Sequence, residues 1–352
     1  MILDDPELYQ HLDPDGMLGH IDALPSQIED AWQYAQSMPL PNVDNVTQIV
    51  ICGMGGSAIG GSLLQTLVAD ECALPILSNR DYQLPAFVSS DTLVICASHS
   101  GNTEETVEAF KDAQQRGAKL VSLSTGGQIA ELCTGFGGTH WEFDYLSQPR
   151  AAIGYSLMLP LALLSRLGLV RSYAEDVLEA VEVIREQQVA FQRESPVVAN
   201  SAKRLAGQML DRFVLMLAAD PLAPVARRWR GQLGENAKTW AQYEELPEMN
   251  HNSVAGIERP EVLIDKTLVL FLESPLAHPR NRRRTDLTRR MFLQAGYNTD
   301  VILAQGESRL AQMLSVLHYG DYASYYLAIA YKVNPTPVDA ISWFKSQLAQ
   351  MS

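Results

Sequence analysis

Three times in its first half the chain passes from a short apolar run, through glycine, serine and threonine, into a helix-like pattern. Gln48–Cys52 runs into Gly53-Met-Gly-Gly-Ser-Ala-Ile-Gly-Gly61, Thr92–Ala97 into Ser98-His-Ser-Gly-Asn-Thr103, and Lys119–Leu123 into Ser124-Thr-Gly-Gly127. Runs this short and this apolar read as buried strands, with a further short strand at Pro75–Ser78. Helix-like stretches at Ser62–Ala69 and Glu104–Arg116 separate them. Alternation of this kind predicts an α/β fold with a doubly wound parallel sheet, whose ligand loops lie at the carboxyl ends of its strands.

Upstream, Leu18, Ile21, Leu24, Ile28 and Trp32 recur at roughly helical spacing and predict a packing helix over Met17–Ser37. After Arg150 the pattern is helical to about Leu210. Then Arg212–Ala218, Thr267–Leu272 and Thr299–Leu303 predict the strands of a second α/β unit, closed by helices at Ser308–Tyr331 and Val338–Leu348. A chain of 352 residues exceeds the size at which one core keeps growing. Two domains are therefore expected, 1–165 with its leading helix and 166–352 with the linking helices.

The loops constrain the ligand. Ser57, Ser98, Ser100 and Thr103 fall where strands give way to helices, and helix N-termini carry unsatisfied N–H groups and partial positive charge that suit an anion. The bland alternative is that these hydroxyls only cap their helices. No GxxxxGK[ST] is present, which argues against a nucleoside triphosphate. No acidic residue ends the second strand to hold a ribose, which argues against a dinucleotide. The formal net charge of −14 disfavours nucleic acid and anionic membranes as partners, and an anionic ligand must be attracted by local donors.

Ser98-His-Ser-Gly-Asn-Thr103 is similar to the phosphate loop of sugar isomerase (SIS) domains. Within that superfamily, Gly53-Met-Gly-Gly-Ser57, Arg80-Asp-Tyr82, Pro149-Arg-Ala151, Gly234-Glu-Asn-Ala-Lys238 and Leu246-Pro-Glu-Met-Asn-His-Asn252 resemble the bifunctional phosphoglucose/phosphomannose isomerases, in order, from about Met17 to the C-terminus. The resemblance implies two SIS-type doubly wound domains with flanking helices. It also implies isomerisation of glucose 6-phosphate, and of mannose 6-phosphate, with fructose 6-phosphate. Gly55, Gly56, Ser57, Ser98, Ser100 and Thr103 match the substrate-binding positions. Glu235 matches the base, His251 the residue acting on the ring oxygen, Lys345 the lysine that assists ring opening, and Arg150 an arginine that steadies the enediolate. No cofactor is implied. A homodimer is, with His251 the candidate to cross into a partner's site. The alternative is a sugar-phosphate sensor without turnover, which retention of Glu235 and His251 disfavours.

Taken without the resemblance, Glu235 reads as a first-turn helix acid, His251 as a structural hydrogen-bonding residue, Lys345 as a solvated helix lysine and Arg150 as a turn anchor. The cluster Arg280, Arg282, Arg283, Arg284, Arg289 and Arg290 reads as salt links along a solvated helix. The seven histidines show no ligand spacing, so no metal is expected. Cysteines without CxxC pairing, no signal-peptide pattern and no apolar run near the ~20 residues of a membrane span predict a cytoplasmic protein with reduced thiols.

Overall fold

A computed structural model describes residues 2–351. The chain begins with three short helices, α1 (Pro6–Leu12), α2 (Met17–Asp22) and α3 (Leu24–Ser37). The single leading helix expected over Met17–Ser37 is thus two helices, parted at Ala23. The first α/β unit follows as β1 (Gln48–Cys52), α4 (Gly55–Leu67), β2 (Ile76–Asn79), β3 (Thr92–Ala97), α5 (Glu104–Gln115), β4 (Lys119–Ser124), α6 (Gly127–Phe136) and β5 (Thr139–Glu142). Its five strands pair in parallel in the order β2-β1-β3-β4-β5. Strand β3 is buried along its whole length, as its unbroken apolar run requires. Cys52 and Cys96 stand opposite one another on β1 and β3 as buried free thiols.

Helices α7 (Ile153–Arg166), α8 (Ala174–Phe191) and α9 (Ser201–Met209) carry the chain across, and the division expected at residue 165 falls in the last turn of α7. The second unit comprises β6 (Phe213–Ala219), α10 (Ala223–Glu235), β7 (Ala241–Leu246), β8 (Thr267–Glu273), α11 (Pro279–Gln294), β9 (Asn298–Leu303), α12 (Arg309–Ala330) and α13 (Asp339–Ala349). Its sheet is also parallel, in the order β7-β6-β8-β9.

The largest core unites both halves through α3, α7, α8 and α12. Helix α12 is apolar or small around nearly its full circumference, with Tyr322, Tyr325 and Tyr326 wholly buried, and such a helix belongs at the centre of a fold. Each fully buried large side chain there contributes roughly 1.5–3 kcal/mol. Among the described residues no helix is long and apolar enough to cross a membrane.

Both sheets reverse direction at one point, between β1 and β3 in the first and between β6 and β8 in the second. At such a reversal successive loops leave on opposite faces, and a crevice opens beyond the carboxyl ends of the strands.

Candidate active site

The first crevice is bounded by α4 and by the loop from Ser98 to Thr103. The run Gly53–Gly61, expected as a loop with a helix only from Ser62, is instead largely the first turns of α4, which starts at Gly55. Glycine is needed at Gly56 because a Cβ there would lie 2.6 Å from the Pro149 carbonyl oxygen and 2.8 Å from Arg150 N. It is needed at Gly101 too, where φ is +67° and a Cβ would overlap the Gly126 carbonyl oxygen.

Neither α4 nor α5 has a side-chain cap: Met54 precedes one, and the Thr103 side chain makes no capping bond to the other. Thr103 Oγ1 instead accepts from Ser98 Oγ at 3.0 Å. The capping alternative therefore does not hold for Thr103, and two helices meet the crevice with N–H groups unspent. Ser57 Oγ accepts from His99 N at 3.2 Å, tying α4 to the loop after β3. Ser57 and Ser98 are buried, Ser100 is exposed and Thr103 is half-buried. The His99 ring bonds the Tyr145 carbonyl oxygen at 3.0 Å, and burial lowers its proton affinity, so the loop carries little charge of its own.

Charge arrives from elsewhere. A cavity of about 220 Å³ lies between the start of α4 and the latter part of α10, and its walls include Gly55, Gly56, Arg150 and Glu235. Arg150, in a 3-10 turn just before α7, is 2% exposed, and its Nη1 lies 3.4 Å from Glu235 Oε2. Burial pulls the Arg150 pKa down and the Glu235 charge pulls it back. Glu235 is the last residue of α10, not a first-turn acid, so the helix dipole gives its carboxylate no support and Arg150 is its counter-charge.

Lys238 Nζ donates to the Pro337 carbonyl oxygen at 2.6 Å and to that of Pro335 at 3.3 Å. Burial, and then the neighbouring Arg150, pull its pKa down to about 8. Together with Arg150, which bonds the carbonyls of Pro335 and Thr336 at 2.7 and 2.8 Å, it grips the segment that leads into α13.

Ser57, Ser98, Ser100 and Thr103 are not among the walls of this cavity, and two further expected site residues stand apart on other elements. His251 is exposed at the end of a 3-10 turn after β7, and Lys345 is exposed on α13; neither side chain makes an ion pair or hydrogen bond among the described residues. The structure of one chain brings Gly55, Gly56, Arg150 and Glu235 to one cavity, while Ser57, next along α4, is tied to the Ser98–Thr103 loop through His99 N.

Three residues of the cavity wall went unnoticed as a group. Arg80, after β2, and Arg227 and Arg230, on α10, share it with Glu235. Arg227 Nε bonds Tyr243 Oη at 2.7 Å, and both α10 guanidinia lie over the Tyr243 ring, at 5.5 and 5.3 Å. Arg80 and Arg230 have no carboxylate partner among the described residues. Arg80 has its pKa lowered by burial and then by Arg227 and Arg230, as expected for like charges held close together. These positions are far apart in the chain, and only the Arg80-Asp-Tyr82 segment carried any sequence signal. The arginines of α11 behave as expected in part: Arg289 and Arg290 pair with Asp286.

Residues 198–348 match the family described as bacterial phospho-glucose isomerase C-terminal SIS domain. The chain is 38% identical over 335 residues to a bifunctional phosphoglucose/phosphomannose isomerase of Caldicellulosiruptor bescii, covering 93% of this chain and 97% of the relative. It is 34% identical to one of Aquifex aeolicus, covering 85% and 90%. In fold it resembles a hypothetical protein of Thermus thermophilus, with a TM-score of 0.75 and 16% identity over 98% of this chain and 94% of the other. With two curated relatives aligned over most of both chains, this protein belongs to the bifunctional phosphoglucose/phosphomannose isomerase family.

Proposed function

We infer that the protein interconverts glucose 6-phosphate and mannose 6-phosphate with fructose 6-phosphate, by moving a proton between C1 and C2 through a cis-enediol. The observation that carries this reading is the pairing of the Glu235 carboxylate with the buried Arg150 guanidinium, in a cavity whose facing wall is the uncapped start of α4.

The phosphate is gripped by N–H groups at the starts of α4 and α5 and by the hydroxyls of Ser57, Ser98, Ser100 and Thr103. Glu235 removes the proton at C2 of the aldose and returns it to C1. As the enediolate forms, negative charge grows on oxygen, and Arg150, which does not give up its proton, faces it as a fixed positive charge. The hydroxyl proton of O2 passes to O1 across the cis-enediol, so with the carbon-bound proton carried by Glu235 from C2 to C1 nothing is gained or lost. Arg80, Arg227 and Arg230 supply the attraction for a dianion that a chain of net charge −14 otherwise repels.

Ring opening falls to His251 and Lys345. His251 has no role in its own chain's cavity and its exposure leaves it free to reach a second copy, which supports a homodimer. The compartment is the cytoplasm, and the domains divide as 1–165 and 166–352.

A coupled assay with fructose 6-phosphate and with mannose 6-phosphate tests the reading. Turnover of both supports it. Binding of the sugar phosphates with no turnover would sink it and leave only a sensor.

A further inference from the structure

Two arginines are buried side by side here with a single buried carboxylate between them. Arg228 is 4% exposed and makes a two-pronged pair with Asp321, 3% exposed, at 3.2 and 2.7 Å. Gln232 Nε2 adds a bond to the same carboxylate at 2.8 Å. Asp321 is thereby committed to Arg228, and among the described residues Arg150 is left without a buried acid.

Arg150 is nonetheless held firmly. Its Nε donates to Asn236 Oδ1 at 2.7 Å, and its carbonyl oxygen accepts from Arg228 Nη2 at 3.1 Å. Asn236 Nδ2 donates to Ser324 Oγ at 3.0 Å, and Ser324 Oγ donates to the Asp321 carbonyl oxygen at 2.8 Å. These contacts close a ring through the 3-10 turn that carries Arg150, α10 and α12. Asn236 and Ser324 are wholly buried. A neutral amide therefore stands where a carboxylate would be the usual partner for a buried guanidinium. Among the described residues, the only carboxylate that reaches Arg150 is Glu235.

We propose that Asn236, backed by Ser324 and Asp321, is a positioning residue that fixes the Arg150 guanidinium without neutralising it. The full charge is thereby kept for Glu235 and for the oxygen that becomes negative during the reaction. This rests on the isomerase reading above and adds to it the reason for an amide at Asn236.

Asn236→Asp separates positioning from mere packing, because it keeps the shape and offers Arg150 an ionic partner. A structural role predicts a variant at least as stable and fully active. Quenching of Arg150 predicts unchanged or higher thermal stability, with kcat falling about tenfold or more and KM for fructose 6-phosphate within about twofold. A folded Asn236→Asp protein with kcat within about twofold of the parent overturns the proposal.

Should that variant not accumulate as folded protein, Ser324→Ala decides. It frees the Asn236 amide, and the proposal expects a fall in kcat at constant KM that disappears in an Arg150→Gln background. Parental kcat in Ser324→Ala, or an undiminished effect without Arg150, overturns it. Glu235→Gln and Arg150→Gln, assayed alone, report on the isomerase reading independently.

Discussion

Between β1 and β3 of the first sheet and between β6 and β8 of the second, the strand order reverses in the same way, and each reversal opens a crevice. The first is edged by Ser57, Ser98 and Thr103 and by two helices with unspent N–H groups. The second, a cavity of about 230 Å³, is lined by Glu273, Ser274, Pro275, Ala277, Arg282 and Thr285. There the helix after β8 is capped by the His278 ring, which accepts from Arg280 N, and Ser274 Oγ is spent on Gln312 Oε1 at 2.5 Å. Burial raises the proton affinity of Glu273. A carboxylate and a proline stand where the first crevice has hydroxyls and glycines. Topology places a crevice in both halves; unspent donors are the ground on which we propose the first as the phosphate site. In the proposed reaction the second half contributes from another place, the carboxyl end of α10.

Removing the two carboxylates in turn tests the difference between the crevices most severely. Glu235→Gln should lower kcat by at least ~10²-fold with KM nearly unchanged, measured in the coupled assay, whereas Glu273→Gln should leave kcat within about twofold. Equal losses would mean that both crevices serve the reaction.

Gly56→Ala should come next. Its Cβ would push on Pro149 and Arg150, so we expect a loss of stability on the order of 1–3 kcal/mol by denaturant titration, with lower activity in the folded fraction. Serines should then divide by crevice. Ser100→Ala should raise KM about three- to tenfold at constant kcat, while Ser274→Ala should leave KM unchanged and cost about 1–3 kcal/mol of stability, because Gln312 loses its buried partner.

Smaller still is the effect of the arginine rim. Arg230→Gln should raise KM a few-fold at low ionic strength and hardly at all near ~0.5 M salt. An effect independent of salt would argue for a direct contact in place of attraction. The smallest effect concerns stability against pH. The folded-state pKa of Glu273 is raised, so the ionised carboxylate is disfavoured in the fold, and its contribution is lost as pH rises from the unfolded value toward the folded one. Near pH 7, Glu273→Gln should therefore melt slightly higher than the parent, and the difference should vanish in acid.

Most of the first sheet was legible because its strands are uniformly apolar and punctuated by glycine and hydroxyl residues, a pattern that parallel burial demands. Strand β7, Ala-Gln-Tyr-Glu-Glu-Leu, went unread because an edge strand half open to water carries charge. The start of α4 was misread as loop because glycines that disfavour a helix by propensity are required there by the close approach of Pro149 and Arg150. Glu235 was proposed through the Gly-Glu-Asn-Ala-Lys segment, but its place at the end of a helix and its pairing with Arg150 come only from the structure. Nothing local in the chain could reveal the convergence of Arg80, Arg227 and Arg230, or the ring through Asn236 and Asp321.

The grip of Arg150 and Lys238 on the carbonyls of residues 335–337 has a practical side. Anything fused or anchored beyond α13 would pull on a backbone tether whose other end is the machinery beside Glu235. Immobilisation through the carboxyl end would thus load the proposed reaction centre mechanically.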